Sequence, residues 1–161
     1  MFPAPRPLLR AAVLAVATAV CTVLITALVP GPAKAAASLA PGTRAYALKV
    51  VGTASLYKGR PYRWGATGPS SFDCSGYTRY VIRKATGKTI PRTSRSQYAA
   101  TKRIRKSSIR PGDLVFFHRN GRVYHAAIYA GAGRIWHSPY GGRGVQKAKI
   151  WTSSWRAGRL R

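Results

Sequence analysis

The chain has 161 residues, of which 28 are Lys or Arg and only 2 are Asp or Glu, giving a formal net charge of +26. Two carboxylates, Asp73 and Asp113, cannot build an oxygen-rich calcium or magnesium site, and a paired-carboxylate glycosidase would have to consume both. The charge draws the protein to polyanions without choosing among nucleic acid, anionic lipid and anionic cell wall, while a hydrophobic content of 46% is enough for one core.

Residues 1–10, MFPAPRPLLR, carry two arginines and no acid, and residues 11–29 contain no charge at all. That is the layout of a secretory signal, and Ala33-Lys34-Ala35 and Ala35-Ala36-Ala37, placed after Pro30-Gly31-Pro32, offer the small residues of a cleavage site. Residues 1–35 are therefore expected to be a signal peptide, 36–44 a short flexible start and 45–161 one catalytic domain. An uncleaved anchor is the alternative, because 19 uncharged residues nearly span a bilayer. Cleavage would leave 25 basic residues against the same two acids, no membrane insertion, and Cys74 as the one cysteine of an exported chain. A single thiol in that setting is either buried filler or a working nucleophile.

Ala45, Leu48, Val51 and Leu56, with Tyr46 and Val50 alongside, repeat at helical spacing up to Gly59 and Pro61. A loop with Gly65, Gly68 and Pro69 then runs into Phe72-Asp73-Cys74-Ser75-Gly76. Asp73 suits an N-cap, and 74–86, closed by Gly87, has the length of a helix with Cys74, Tyr77, Val81 and Ala85 on one face. Cys74 would sit in its first turn, where the helix's partial positive charge favours thiolate. A third helix is expected at Thr93-Ser94, with Ser94-Arg95-Ser96-Gln97 as a capping box. The basic run 102–110 reads as a solvated loop. Beyond it the period falls to 2, with strands expected at 113–118, 123–130, 134–138 and 145–151 in an antiparallel meander, so the fold class is α+β.

His125, Ala127 and Tyr129 share one strand face, and His137 shares one with Ile135. If those faces meet the first turn of the Cys74 helix, a thiol and two imidazoles stand in a row. Cys74 would attack, His125 would take and return the proton, and His137 would orient His125 through its other ring nitrogen. Asp73 is engaged as a cap and Asp113 begins a strand, so a neutral third member is the economical choice. A lone histidine in a strand is commonly structural, and His118 is read that way. Cys74 with the three histidines lacks zinc-ligand spacing, so neither metal nor cofactor is expected. Trp64 and Trp136 neighbour the expected cleft and could stack on a substrate.

The series Gly59-x-Pro61-Tyr62-x-Trp64-Gly65, Gly68-Pro69-x-x-Phe72-Asp73-Cys74-Ser75-Gly76, Pro91-Arg92-Thr93-Ser94-x-x-Gln97, Pro111-Gly112-Asp113-Leu114-Val115-Phe116-Phe117, His125-x-x-Ile128-Tyr129-x-Gly131 and Ile135-x-His137-Ser138-Pro139 resembles the NlpC family of papain-like cysteine peptidases. The resemblance spans roughly 45–151 and implies a papain-like domain with N-terminal helices packed on a small antiparallel sheet. It further implies a secreted bacterial cell-wall hydrolase that cuts peptidoglycan stem peptides between γ-D-glutamyl and the following diamino acid. Carried across, Cys74 is the nucleophile, His125 the base and His137 the third polar member; Tyr62 resembles the family tyrosine near the nucleophile, and Asp73 and Ser75 match positions that can touch the stem peptide. Ala66 and Ala126-Ala127 depart from the family's usual glycine and Val-Gly, which bears on cleft shape and not on the reacting atoms. The expected partners are peptidoglycan and, through the charge, anionic wall polymers. No nucleic-acid motif is visible and a monomer is expected. Two alternatives stand beside this: a cationic wall-binding protein without catalysis, and an amidase or acyltransferase on the same fold.

Overall fold

The computed structural model describes residues 39–161, so the expected signal peptide lies outside the described residues. Helix α1, Pro41–Ser55, begins inside the stretch expected to be a flexible start, with proline at its first turn where a missing N–H costs nothing. Its buried stripe is Ala47, Val50 and Ala54, whereas Ala45, Leu48 and Leu56 of the expected stripe are exposed. Small residues win because the neighbouring helix comes close: the buried Tyr77 hydroxyl donates to the Ala54 carbonyl at 2.8 Å.

That neighbour, α2, is Cys74–Thr86, capped by the Asp73 side chain and ended by Gly87 in the left-handed conformation, φ 75°. Helix α3, Ser94–Ala100, starts one residue earlier in its capping logic than expected: Thr93 is the N-cap and Ser96 its reciprocal partner. Gln97 of α3 is buried and locks onto α2, donating to the Ser75 carbonyl at 2.9 Å and accepting from Thr78 Oγ1 at 2.8 Å.

Six antiparallel strands follow: β1 Lys102–Ile104, β2 Leu114–Arg119, β3 Arg122–Gly131, β4 Arg134–His137, β5 Gln146–Lys149 and β6 Trp155–Arg159, in the spatial order β1-β6-β2-β3-β4-β5. Strands β2 to β5 form the expected meander. The basic run is not simply a loop, for it contains β1 and a 3-10 turn, Lys106–Ser108, and the unforeseen β6 returns to lie between β1 and β2.

Alternation along the strands divides the molecule into two layers. Leu114, Phe116, Ala126, Ile128 and Trp136 pack with Phe72, Tyr77, Val81 and Ile82 on the helix side. Trp136 is therefore turned away from the cleft expected of it. Val115, Phe117, Ala127 and Ile135 form a smaller cluster on the opposite face, and there Phe117 pairs with His125 across the ladder and His137 with Gln146. A register shift between Phe117 and His118 separates His118 from that set, so it meets Tyr98 instead, ring centroids 5.1 Å apart. Among the described residues no helix is long and apolar enough to cross a membrane.

The head of β2 is tied to β6 by charge. Arg159 sends two donors to the buried Asp113 carboxylate at 2.8 Å each, and the Arg110 amide adds a third at 2.7 Å. Removing the guanidinium leaves a desolvated carboxylate without its cation, so Arg159→Met is expected to cost about 2 kcal/mol in urea unfolding, the partner's partial exposure reducing the usual penalty for a buried pair. Asp113→Asn added to it should return part of that loss; equal stability of the single variant and the parent would show the pair to be neutral.

Candidate active site

The site is assembled around the start of α2. Asp73 uses both carboxylate oxygens: Oδ1 accepts from the Gly76 amide at 2.6 Å and from Ser75 Oγ at 3.3 Å, and Oδ2 accepts from the Gly65 amide at 3.1 Å. Its backbone amide donates to the Ala66 carbonyl at 2.9 Å, so the loop bearing Tyr62 and Trp64 is stitched to the helix cap. Gly76 allows this approach, because a Cβ there would stand 2.1 Å from the Ala66 oxygen. Arg92 completes the knot, bonding Asp73 Oδ1 and Ser75 Oγ through Nη1 at 3.1 Å each and forming the ion pair with Oδ2 through Nη2.

Cys74 opens, with His125 and His137, onto a cleft of about 530 Å³. Tyr62 and Trp64 line it as expected; Asp73 and Ser75 do not, being buried and spent on the cap and Arg92. Tyr124, Tyr140, Arg143, Gln146, Lys149 and Trp151 also line it, and none of these was singled out from the sequence. Trp151 takes the place expected for Trp136: it stacks on Phe117, centroids 4.0 Å apart and planes at 4°, with its ring 5.3 Å from that of His137. Arg92 was visible only as part of a motif. The signal that would have found it is the scarcity of acids, since a buried carboxylate needs a nearby cation.

His125 Nε2 and His137 Nδ1 are 3.0 Å apart. The direction of this bond follows the tautomer: with the His125 proton on Nε2, Nε2–H donates to His137 Nδ1 and His137 carries its own proton on Nε2. That Nε2 is buried without a hydrogen-bond partner among the described residues. Burial holds both imidazoles neutral: His125, which also feels His137, is lowered to about 3, and His137 to about 4. The thiol moves the other way from the sequence expectation. Burial pushes Cys74 up and the Asp73 charge adds to it, against the backbone of Ala126 and Ser75 and the Ser75 hydroxyl, which favour thiolate. The cleft thus gathers a thiol and two imidazoles whose burial favours the neutral form of each. His118 lies apart from these groups and lines a different cavity.

A model described as the NlpC/P60 family matches residues 59–160. Probable endopeptidase p60 of Listeria monocytogenes is 44% identical over 106 residues, covering 66% of this chain and 21% of the relative. Gamma-DL-glutamyl hydrolase of Bacillus subtilis is 43% identical over 89 residues, covering 53% and 22%. The chain thus spans about a fifth of the length of these curated relatives. Among solved structures, the NlpC/p60 domain of the peptidoglycan hydrolase SagA aligns with a TM-score of 0.66 at 37% identity, over 71% of this chain and 98% of that domain.

A raised thiol and lowered imidazoles fix the sign of a pH effect. Between the imidazole values and the thiol value both groups are neutral, so thiolate grows only as pH rises toward the thiol's own range. Alkylation of Cys74 by iodoacetamide is expected to climb steadily from pH 5 to pH 9. A flat, fast rate across that window would reveal a preformed thiolate–imidazolium pair.

Proposed function

This chain belongs to the NlpC/P60 family, and on that footing we propose that it is an exported, wall-associated cysteine endopeptidase that hydrolyses peptidoglycan stem peptides through Cys74, His125 and His137. The observation that carries the reading is one cleft holding the single described cysteine together with a hydrogen-bonded histidine pair.

The chemistry follows from the residues. As a substrate carbonyl settles against the first turn of α2, Cys74 Sγ attacks the carbonyl carbon while its proton passes to His125. The developing oxyanion lies beside amides of the helix N-terminus, which have no partners within the helix. His137 holds the imidazole that has become charged, and its neutrality keeps that charge on His125 transient. Collapse expels the amine, which leaves with the proton from His125, and water then enters as His125 acts as base to free the acid from the thioester.

Specificity has an electrostatic basis. Arg143 and Lys149 line the cleft and no acid does. A γ-linked glutamyl residue keeps its α-carboxylate free, so a bond on the γ-carboxyl side presents an anion close to the scissile carbonyl, and those cations suit it. This favours the γ-D-glutamyl to diamino acid bond, in line with the printed name of the Bacillus subtilis relative. Tyr62 and Trp64 offer apolar walls for the peptide, and the protein acts as a monomer.

Digestion of purified peptidoglycan with the parent and with Cys74→Ala and His137→Ala, read by the mass of released fragments, tests this. Cys74→Ala should lose activity roughly ten-thousandfold or more, and His137→Ala roughly a hundredfold or more, with His137→Asn retaining part. Fragments ending in a free γ-glutamyl carboxyl are expected. Equal release by Cys74→Ala would end the thiol mechanism, and release of whole stem peptides from the sugar would indicate an amidase.

A further inference from the structure

A second concavity, about 860 Å³, opens on the β1-β6-β2 edge of the sheet and shares no lining residue with the cleft on β3, β4 and β5. Arg103, Arg105, Lys106 and Arg156 line it together with His118, and no carboxylate does. The reason is chain-wide: Asp73 is held by Arg92 and Asp113 by Arg159, so the chain has no side-chain acid left to neutralise these four. Four exposed and uncompensated cations line one concave surface, and an anion entering it gains from all of them at once.

The posture of two of them is built in. The Arg103 guanidinium lies over the Tyr98 ring, 4.5 Å from its centroid, and Lys106 Nζ over Trp155 at 4.9 Å while it donates to the Ser153 carbonyl at 2.5 Å. His118 shares the Tyr98 ring from another side and is tied through Nδ1 to the Phe116 carbonyl at 3.1 Å, leaving Nε2 free of that bond. These contacts spend ordering entropy during folding that a flexible lysine tail would have to lose on binding.

We propose that this concavity binds a phosphodiester polymer that carries no bases, and so docks the protein on an anionic matrix independently of the catalytic cleft. Guanidinium forks match phosphate oxygens, and a repeating phosphodiester places successive charges along such a groove. Nucleic acid is disfavoured by the same geometry, because Tyr98 and Trp155 already carry cations on their rings and offer bases little to stack on. A membrane surface is disfavoured because none of the exposed large hydrophobic side chains lines the concavity. His118 is a resident reporter: burial lowers it first, the bond to the Phe116 carbonyl works against that, and Arg156 and Arg103 lower it further, so an anion seated between them would raise it. The inference does not depend on the proposed peptidase activity.

The test uses the described chain with poly(glycerol phosphate) as probe, oligothymidylate of matched charge as the rival, and proton NMR of His118 in parallel. Saturable binding of poly(glycerol phosphate) with an upward shift in the His118 titration is expected. Arg103→Gln with Arg156→Gln should weaken that binding roughly tenfold or more and lessen its salt dependence by about two charges, whereas removing exposed Arg122 and Arg134 should change it less than about threefold. Cys74 alkylation unchanged in the double variant reports an intact fold. Equal losses in both double variants, tighter binding of oligothymidylate, or a His118 titration indifferent to saturating probe would each overturn the proposal.

Discussion

The carboxylate of Asp73 is the constraint on which the rest of the site depends. It caps α2 through Gly76, holds the Tyr62-Trp64 loop through Gly65, and pairs with Arg92 at the approach to α3. Three separate pieces of chain are thereby referred to one point, and Cys74 is the residue beside it. The arrangement has an electrostatic cost, since an anion next to the thiol disfavours thiolate. Arg92 offsets that cost by spreading two donors over the carboxylate and one contact onto Ser75. Position is gained for the sulfur, and the burial that comes with it leaves the sulfur protonated.

In the proposed mechanism a protonated sulfur suffices because the imidazole that would take its proton is equally uncharged. His125 and His137 are buried against Phe117 and Trp151, which keeps both imidazoles neutral and their mutual hydrogen bond one between neutral rings. A carboxylate in the place of His137 would favour imidazolium and begin to separate charge before substrate arrives. With two acids in the chain and both locked to arginines elsewhere, no such carboxylate exists. In the proposed mechanism charge separation is deferred to the moment of attack, when the amides at the head of α2 would meet the oxyanion.

How much of this was legible in the sequence follows from where local rules decide. The bounds of α2 were readable because a capping aspartate and a left-handed glycine mark its two ends without help from tertiary structure. The face each of His125 and His137 takes was readable from period-2 alternation, and the faces meet because β3 and β4 pair directly. Strands β1 and β6 were not, because Lys-Arg-Ile and Trp-Arg-Ala-Gly-Arg have too little apolar alternation to declare themselves. They form because Gly158 lets β6 pass within a Cβ's breadth of Thr101 and Phe116, a fact of packing that no local pattern carries. The stripe of α1 was misplaced for a related reason, since close helix packing selected alanines over the larger leucines. Beside Trp64, the second tryptophan of the cleft is 151 and not the expected 136, because 136 sits inside a strand, where parity turns it inward, and 151 lies just beyond β5.

The scarcity of acids has two effects that act at different ranges. Within the fold it forces each buried carboxylate into a single arginine fork, which fixes the head of α2 and the head of β2. Outside the fold it leaves the remaining cations free, and the chain gathers some of them around two separate concavities. Arg143 and Lys149 line the cleft that holds Cys74, His125 and His137, while Arg103, Arg105, Lys106 and Arg156 line the concavity on the β1-β6-β2 edge. On the proposed readings, a polymer at the second concavity and an anionic group of a peptide in the cleft would be met by different cations, because the two concavities share no lining residue.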